Sequence, residues 1–318
     1  MGTVGAGTAT AKLILFGEHA AVHGHPAVGI QLPEKTTVKI GPARGSAWDV
    51  SAARAEDQQG LVRLLGRLES LLPEVCSEGR GPVSVGSTVA RGVGMGSSAA
   101  LCAALAGAAL ARAGAPREPS RVWGIAHELE KLFHGAPSGI DTGLSLHEGV
   151  TAFYPRAPEL PAVRALSCAP LFLVVGAVPR SGRTAELVGG IGKLMRADDI
   201  ATRESLERLG SIARKAIEAL GASGDAMAIV GSLADEAMRE LRGLGLSSPA
   251  LDLLLQNGAR AGALGGKLSG AGGGGAFFLV AANAESAVEI CAQVSDAAGR
   301  AGISLASPPR VIETRSPP

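Results

Sequence analysis

Three glycine-rich segments that also carry polar side chains could each bind an anion. They span residues 12–19, 92–99 and 266–275. Glycine permits positive φ angles and leaves no Cβ between the backbone and a ligand, and successive N–H groups in such a loop form a concave anion site. Three segments of this kind in one chain suggest that it binds the phosphates of a nucleotide.

The middle segment, residues 92–98, has the context that phosphate binding needs. It follows a predicted strand at 82–89 and precedes a predicted helix that begins near Ser97 or Ser98 and ends at Arg112. The N-terminus of that helix would present unpaired N–H groups and a positive partial charge. The segment is neither a dinucleotide fingerprint nor a Walker A loop. The alternative is an ordinary N-cap in a glycine-rich turn.

Two carboxylates beyond this helix could complete a phosphate-transfer site. Glu130 lies one turn after Ala126, at the edge of the apolar face of a helix predicted over 120–134. A carboxylate there is costly without a partner, which could be Mg²⁺ or a basic residue on an exposed rim. Asp141 lies in a turn-forming, nearly uncharged stretch, and could act as a general base or as an Asx-turn or N-cap residue.

Alternating strands and helices must position these residues. Residues 1–8 are small and uncharged and predict a frayed tail, and we expect the domain boundary in the proline-containing stretch 155–170. Mixed elements in both halves predict an α+β or α/β fold. Strands are predicted at 11–16, 26–32, 36–40, 82–89, 150–154, 171–175, 276–280 and 310–313, and helices at 61–72, 97–112, 120–134, 206–220, 230–241, 251–255 and 284–298.

Length and charge limit the classes of protein to which the chain can belong. Its 318 residues favour two domains, 1–165 and 166–318, over one. The 30 basic and 29 acidic residues give a net charge of +1, so we expect neither nucleic acid nor a membrane surface as a partner. Four scattered cysteines and the lack of a long apolar segment predict a soluble, cytoplasmic protein.

Together the motifs resemble the GHMP kinase superfamily, and within it the mevalonate kinases most closely. The similarity covers Lys12–Ala27, Gly92–Ala100, His134–Asp141 and Gly266–Gly275, in the family's order, and a stretch at 178–188. The chain departs from the family pattern at Ala136, which replaces the usual Asn, and at Met95, which replaces the usual Leu.

This resemblance implies a two-domain α+β GHMP kinase fold, with a ribosomal-protein-S5-like N-terminal domain, a ferredoxin-like C-terminal domain and the active site between them. It implies ATP- and Mg²⁺-dependent phosphorylation of the primary hydroxyl of mevalonate to 5-phosphomevalonate, in the mevalonate pathway of isoprenoid biosynthesis. A homodimer is an open option. The alternatives are a related kinase for phosphomevalonate, homoserine or a sugar, and a non-catalytic sensor that binds ATP.

The resemblance also implies a role for each matching residue. Asp141 would be the catalytic base, and Lys12 would lie beside the acceptor hydroxyl, favour its alkoxide form and contact phosphate. Ser98 and Glu130 would bind Mg²⁺. Arg180, Arg183 and Thr184 would either hold substrate or phosphate or belong to a solvated loop. The acceptor contacts would be Lys12, Glu18, His19, Ser138 and Asp141, and the ATP phosphates would be bound by Gly92, Val93, Gly94, Met95, Gly96, Ser97 and Ser98, with Gly270–Gly274 shaping the site.

Overall fold

The chain folds as two compact units. The computed structural model describes residues 3–51, 55–180, 195, 199–222 and 226–314. Unit 1 comprises residues 1–12, 32–89 and 96–146, and unit 2 comprises residues 13–31, 90–95 and 147–318. Because the division falls within the strands β1 (Gly5–Phe16) and β2 (Ala27–Ile40), each unit contains part of both strands.

Unit 1 combines antiparallel strands with packed helices. In this unit β2 pairs with β3 (Val83–Ser87), and Val38 lies opposite Val85. Helix α2 packs against α3, and its buried face consists mainly of alanine, which allows close helix packing. The helices of the unit are α1 (Ala55–Leu71), α2 (Ser97–Arg112), α3 (Pro119–His134) and α4 (Ile140–Leu144), with a 3₁₀ turn at Pro73–Cys76.

The N-terminal segment is part of this core. The prediction of a frayed tail is wrong for residues 5–8, because β1 begins at Gly5. A Cβ at Gly5 would lie 2.1 Å from the carbonyl oxygen of Ala108, and one at Gly7 would lie 2.2 Å from that of Ala104. The small residues therefore allow the strand to lie directly on the backbone of α2.

Unit 2 contains a four-stranded antiparallel sheet with helices packed on it. The strand order is β7 (Gly265–Leu268), β8 (Gly275–Ala281), β6 (Phe172–Val178) and β9 (Ser307–Glu313). In the same unit β2 pairs with β4 (Val150–Arg156), and β4 pairs with β5 (Glu159–Leu166). Its described helices include α5 (Ile200–Gly221), α6 (Met227–Gly243), α7 (Pro249–Arg260) and α8 (Ala284–Arg300), with a 3₁₀ turn at Ala20–His23.

The predicted elements are found with a few corrections. Ser248 caps α7 by accepting a hydrogen bond from the Leu251 amide, as its position before a proline predicts. The two strands predicted at 26–32 and 36–40 form the single strand β2, and the stretch 155–170, in which the domain boundary was expected, contains β5. The division at residues 165 and 166 stays a prediction. In the described ranges, none of the helices has the length and apolar character to cross a membrane.

Candidate active site

A buried lysine and a partly exposed aspartate lie together in unit 1. Lys12, at the end of the unit 1 part of β1, is 2% exposed, and its Nζ lies 2.8 Å from Oδ1 of Asp141. The Asp141 side chain is 35% exposed. An accessible carboxylate beside a fixed ammonium group can take a proton from a hydroxyl while the ammonium stabilises the negative charge that develops on oxygen.

The backbone around Asp141 is held by two hydrogen bonds to one carbonyl. Asp141 lies in the first turn of α4, and Gly139, with φ 79°, occupies the N-cap position. The Gly139 carbonyl accepts from the Trp123 indole N–H at 3.0 Å and from the Thr142 hydroxyl at 3.1 Å. Asp141 is therefore neither the N-cap residue nor part of an irregular turn, and its carboxylate is directed to Lys12.

Gly96 brings the second glycine-rich segment against the Lys12 side chain. It is the N-cap of α2, with φ 79°, and a Cβ built on it would lie 2.6 Å from Cγ of Lys12. Any larger residue would collide with the lysine and would also be strained at this φ. The Lys12 side chain therefore passes along the N-terminus of α2, where Ser97 and Ser98 begin the helix.

Glu130 is a buried carboxylate on α3. It is 1% exposed, and neither of its oxygens has a hydrogen-bond partner within the described ranges of the chain. Burial, reinforced by the negative charge of Asp141, raises the pKa of Glu130 to about 8. Lys12 and the Thr142 hydroxyl lower this pKa, but the hydroxyl proton is donated to the Gly139 carbonyl.

The neighbouring Glu128 pairs with basic residues at the rim of the helix, which was the alternative expected for Glu130. Its carboxylate forms ion pairs with Arg67, at 2.7 Å, and with Lys131. These partners lower the pKa of Glu128. The two glutamates of α3 thus differ, because one faces basic side chains at the rim and the other faces the interior.

Ser98 and Glu130 suit a divalent metal ion. A hydroxyl and a carboxylate are hard oxygen ligands of the kind that Mg²⁺ prefers, and a cation would satisfy the buried Glu130 oxygens. The Ser98 hydroxyl lies 3.4 Å from Nε2 of His134. Ser138 is half-buried, and its hydroxyl accepts a hydrogen bond from the Ile140 amide.

Glu18 and His19 lie in unit 2 and are both buried. Glu18 is 4% exposed and accepts a hydrogen bond from Nζ of Lys267. His19 is 7% exposed, and its Nε2 lies 3.2 Å from the Ala271 carbonyl oxygen. Because a carbonyl can only accept, Nε2 carries the proton and Nδ1 presents a lone pair. Nδ1 has no hydrogen-bond partner among the residues that the structure describes.

The protonation state of His19 follows from its surroundings. Burial is the largest cause that lowers the pKa of His19, to about 4, and the positive charges of Lys267, His23 and Arg180 act in the same direction. The hydrogen bond to the Ala271 carbonyl acts against them. The imidazole is therefore neutral at physiological pH.

Arg180 packs against the glycine-rich backbone of unit 2. A Cβ at Gly94 would lie 2.4 Å from Nη2 of Arg180, and one at Gly275 would lie 2.7 Å from its Nε. The Ala276 amide also donates to the Val93 carbonyl at 2.7 Å. A permanent cation therefore lies against the first half of the predicted phosphate loop. Arg183 and Thr184 lie outside the described residues.

The structure thus groups the predicted residues within each unit. Unit 1 contains Lys12, Glu130 and Asp141 as electrostatic neighbours, and unit 2 contains Glu18 and His19 on one turn. The sequence did not identify Trp123, which donates a hydrogen bond to the Gly139 carbonyl, or Lys267, which donates to the Glu18 carboxylate. A lysine within a glycine-rich, otherwise apolar segment was the available signal for Lys267. The individual roles stay predictions.

Comparison with known proteins identifies the family. The family models described as GHMP kinases N terminal domain and GHMP kinases C terminal match residues 62–149 and 213–300. A mevalonate kinase of Thermococcus sibiricus is 32% identical over 313 residues, which cover 91% of this chain and 92% of the relative.

Solved structures share the fold over nearly the whole chain. A crystal structure of L. major mevalonate kinase in complex with R-mevalonate has a TM-score of 0.78 and 24% identity, covering 98% of this chain and 96% of the other. Streptococcus pneumoniae phosphomevalonate kinase in complex with phosphomevalonate and AMPPNP has a TM-score of 0.77 and 16% identity, covering 96% and 99%. The predicted two-domain α+β fold is confirmed. The chain belongs to the GHMP kinase family.

Proposed function

We propose that the chain is an ATP- and Mg²⁺-dependent mevalonate kinase, which converts mevalonate to 5-phosphomevalonate in isoprenoid biosynthesis. The observation that carries this proposal is the 2.8 Å contact between Lys12 and the accessible carboxylate of Asp141. The choice of acceptor is supported by the name of the relative that is 32% identical over 91% of the chain. The fold alone does not choose the acceptor, because phosphomevalonate kinase shares it.

Asp141 and Lys12 divide the chemistry at the acceptor oxygen. Asp141 takes the proton from the primary hydroxyl of mevalonate as that oxygen bonds to the γ-phosphorus of ATP. The bond from the γ-phosphorus to the bridging oxygen breaks, and ADP leaves with that electron pair. The Lys12 ammonium, fixed by burial, stabilises the negative charge on the attacking oxygen.

The phosphate side requires oxygen ligands and backbone donors. Ser98 and Glu130 would hold Mg²⁺, which supplies charge neutralisation for the ATP phosphates. Glu130 must release its proton before it can serve as a ligand, since its pKa is about 8 in the metal-free protein. The N–H groups of Gly92–Ser97 bind phosphate oxygens.

The residues proposed to surround mevalonate mainly accept hydrogen bonds. Glu18, His19 and Ser138 contact mevalonate. The Nδ1 lone pair of His19 can accept a hydrogen bond from a hydroxyl group of mevalonate. A phosphate dianion has no proton to donate to this lone pair. The neutral His19 therefore favours a hydroxyl at this position over a second phosphate.

The test measures ADP release with mevalonate, phosphomevalonate, homoserine and galactose as acceptors. We expect turnover with mevalonate, and a decrease of about a thousandfold in kcat for Asp141→Asn with ATP binding retained. The matched control is Asp252→Asn, which breaks a surface ion pair with Arg242 and should leave kcat within about twofold. Binding of ATP without turnover of any acceptor would contradict the proposal and would favour a sensor.

A further inference from the structure

A second buried lysine pairs with a carboxylate in unit 2. Lys267, on β7, is fully buried, and its Nζ donates to a carboxylate oxygen of Glu18 and, at 2.7 Å, to the Leu268 carbonyl. The rings of Phe16 and Phe278 lie 5.8 and 5.4 Å from the same nitrogen. The ammonium group is therefore surrounded by two acceptors and two aromatic faces.

Stability alone is a weak explanation for this pair. Moving a lysine and a glutamate from water into the interior costs several kcal/mol per ion in real proteins, and an apolar pair of similar volume is often as stable. Burial lowers the pKa of Lys267, and the Glu18 carboxylate acts against this by favouring the charged form. The presence of this buried ion pair is better explained if the pair orients a functional segment.

The segment that Lys267 holds is the turn at residues 17–19. His19 has φ 60° and ψ −48°, and it is the one non-glycine residue with positive φ among those described. A residue in a sparsely populated backbone conformation persists when its surroundings impose that conformation, and such residues cluster at ligand sites. The turn is therefore constrained from outside.

The constraint comes from one stretch of chain. Lys267 holds Glu18, and the Ala271 carbonyl, four residues further on, accepts from Nε2 of His19. Between these two contacts Ser269 accepts from the Ile14 amide and donates to the Ile14 carbonyl, at 3.1 and 2.8 Å. Residues 267–271 thus fix β1 and the turn after it at three points.

We propose that Lys267 is a positioning residue for acceptor binding, whose ammonium group holds Glu18 and thereby sets the turn from which Glu18 and His19 meet the acceptor. This inference rests on the proposed function, in which these two residues contact mevalonate. Lys267 itself touches no reacting atom, and its effect passes through its two neighbours.

The charge of Lys267 also acts on His19. Among the described residues, the charged and titratable groups that act on His19 are Lys267, His23 and Arg180, and all three disfavour a second proton on the imidazole. With Nε2 bonded to Ala271, this keeps the lone pair on Nδ1 available. Removal of the Lys267 charge should therefore make His19 easier to protonate.

The experiment is a double-mutant cycle of Lys267→Met, Glu18→Gln and the double variant. We expect Lys267→Met to raise the KM for mevalonate about tenfold or more while the KM for ATP changes less than about twofold. The increase in the mevalonate KM of the double variant should be smaller than the product of the two single increases, by a factor of about two to one hundred. This is expected because the two residues act as one unit. Lys267→Gln replaces Lys267→Met if the latter does not fold.

A control and a second measurement separate positioning from simple stability. Thr314→Ala removes a buried hydrogen bond of the same unit away from the turn, from the Leu171 amide at 2.8 Å, and should lower Tm without a selective effect on the mevalonate KM. In histidine-labelled protein, the His19 nitrogen signals should titrate at a higher pH in Lys267→Met than in the wild type, where the pKa is about 4.

The outcomes distinguish this inference from the proposed function. A Lys267→Met variant with lowered Tm, an unchanged mevalonate KM and an unchanged His19 titration would overturn the positioning role. If the wild type does not phosphorylate mevalonate, the proposed function fails and the inference fails with it. If the wild type phosphorylates mevalonate and Lys267→Met leaves the mevalonate KM unchanged, the inference alone fails.

Discussion

Glu130→Gln is expected to stabilise the metal-free protein at pH 8 while changing its stability little at pH 5. Burial and the charge of Asp141 raise the pKa of Glu130 from 4.5 to about 8 in the folded state. Between these two values the folded protein keeps a proton that the unfolded chain has released. The stabilising contribution is therefore complete below pH 4.5 and is lost as the pH rises towards 8.

The size of the effect follows from this interval. Each unit of pKa difference corresponds to about 1.4 kcal/mol, so the free energy of unfolding should decrease by roughly 3 kcal/mol between pH 5 and pH 8 because of Glu130 alone. Glutamine has nearly the same shape and does not titrate, so the variant should not show this decrease. The lowered pKa of His19 also changes the free energy of unfolding between pH 4 and pH 6.5, but it does so equally in both proteins.

Urea unfolding followed by circular dichroism, with EDTA present, measures this difference at several pH values. Glu128→Gln is the matched control on the same helix, because its ion pairs with Arg67 and Lys131 lower the pKa of Glu128. The contribution of Glu128 is present above pH 4.5 and is lost only as the pH falls further, so this control should not change the slope between pH 5 and pH 8.

The reasoning about Glu130 is wrong if its glutamine variant differs from the wild type by the same free energy at pH 5 and at pH 8. A further comparison uses MgATP at pH 8. The wild type should gain more stability from it than Glu130→Gln, because a bound cation would replace the proton of Glu130. Equal gains would remove Glu130 from the metal site.

Two further substitutions test how Lys12 and Asp141 are positioned. Gly96→Ala places a Cβ 2.6 Å from Cγ of Lys12, and should lower kcat at least about tenfold. The control is Gly114→Ala, at a similar φ of 63° with no atom within 4 Å of the added Cβ. It should lower Tm and leave steady-state kinetics unchanged. Trp123→Phe removes the indole hydrogen bond to Gly139, and should lower kcat by about tenfold with an unchanged KM for ATP. An unchanged kcat would mean that other contacts hold α4.

Most of the helices and strands could be predicted from the sequence, but the short elements β7 and α4 could not. The apolar spacing of α3 predicted a helix over 120–134 with Glu130 at the edge of its buried face, which agrees with the structure. The four-residue strand β7 and the five-residue helix α4 are too short for their period to be recognised. Tertiary contacts stabilise them, such as the Trp123 hydrogen bond that precedes α4.

The sequence also did not predict which residues distant in the chain form ion pairs with each other. The resemblance placed Lys12 and Asp141 at the same hydroxyl, but no pattern in a single sequence gives the ion pair between them or pairs Glu18 with Lys267. These pairs depend on the register of β1 and β7 against the rest of each unit. A sequence period identifies which face of an element is buried, but it does not identify the residue on the opposing element.

The two lysine–carboxylate pairs differ in the exposure of the carboxylate, and this difference separates their roles. Both lysines are buried, but the Asp141 side chain is 35% exposed and that of Glu18 is 3% exposed. A base must exchange its proton with substrate and then with solvent, which the accessible Asp141 can do. A carboxylate that is almost fully buried beside a fixed ammonium group is suited to hold a fixed position. Loss of Asp141 should therefore act on kcat, and loss of the pair between Glu18 and Lys267 should act on the KM for the acceptor.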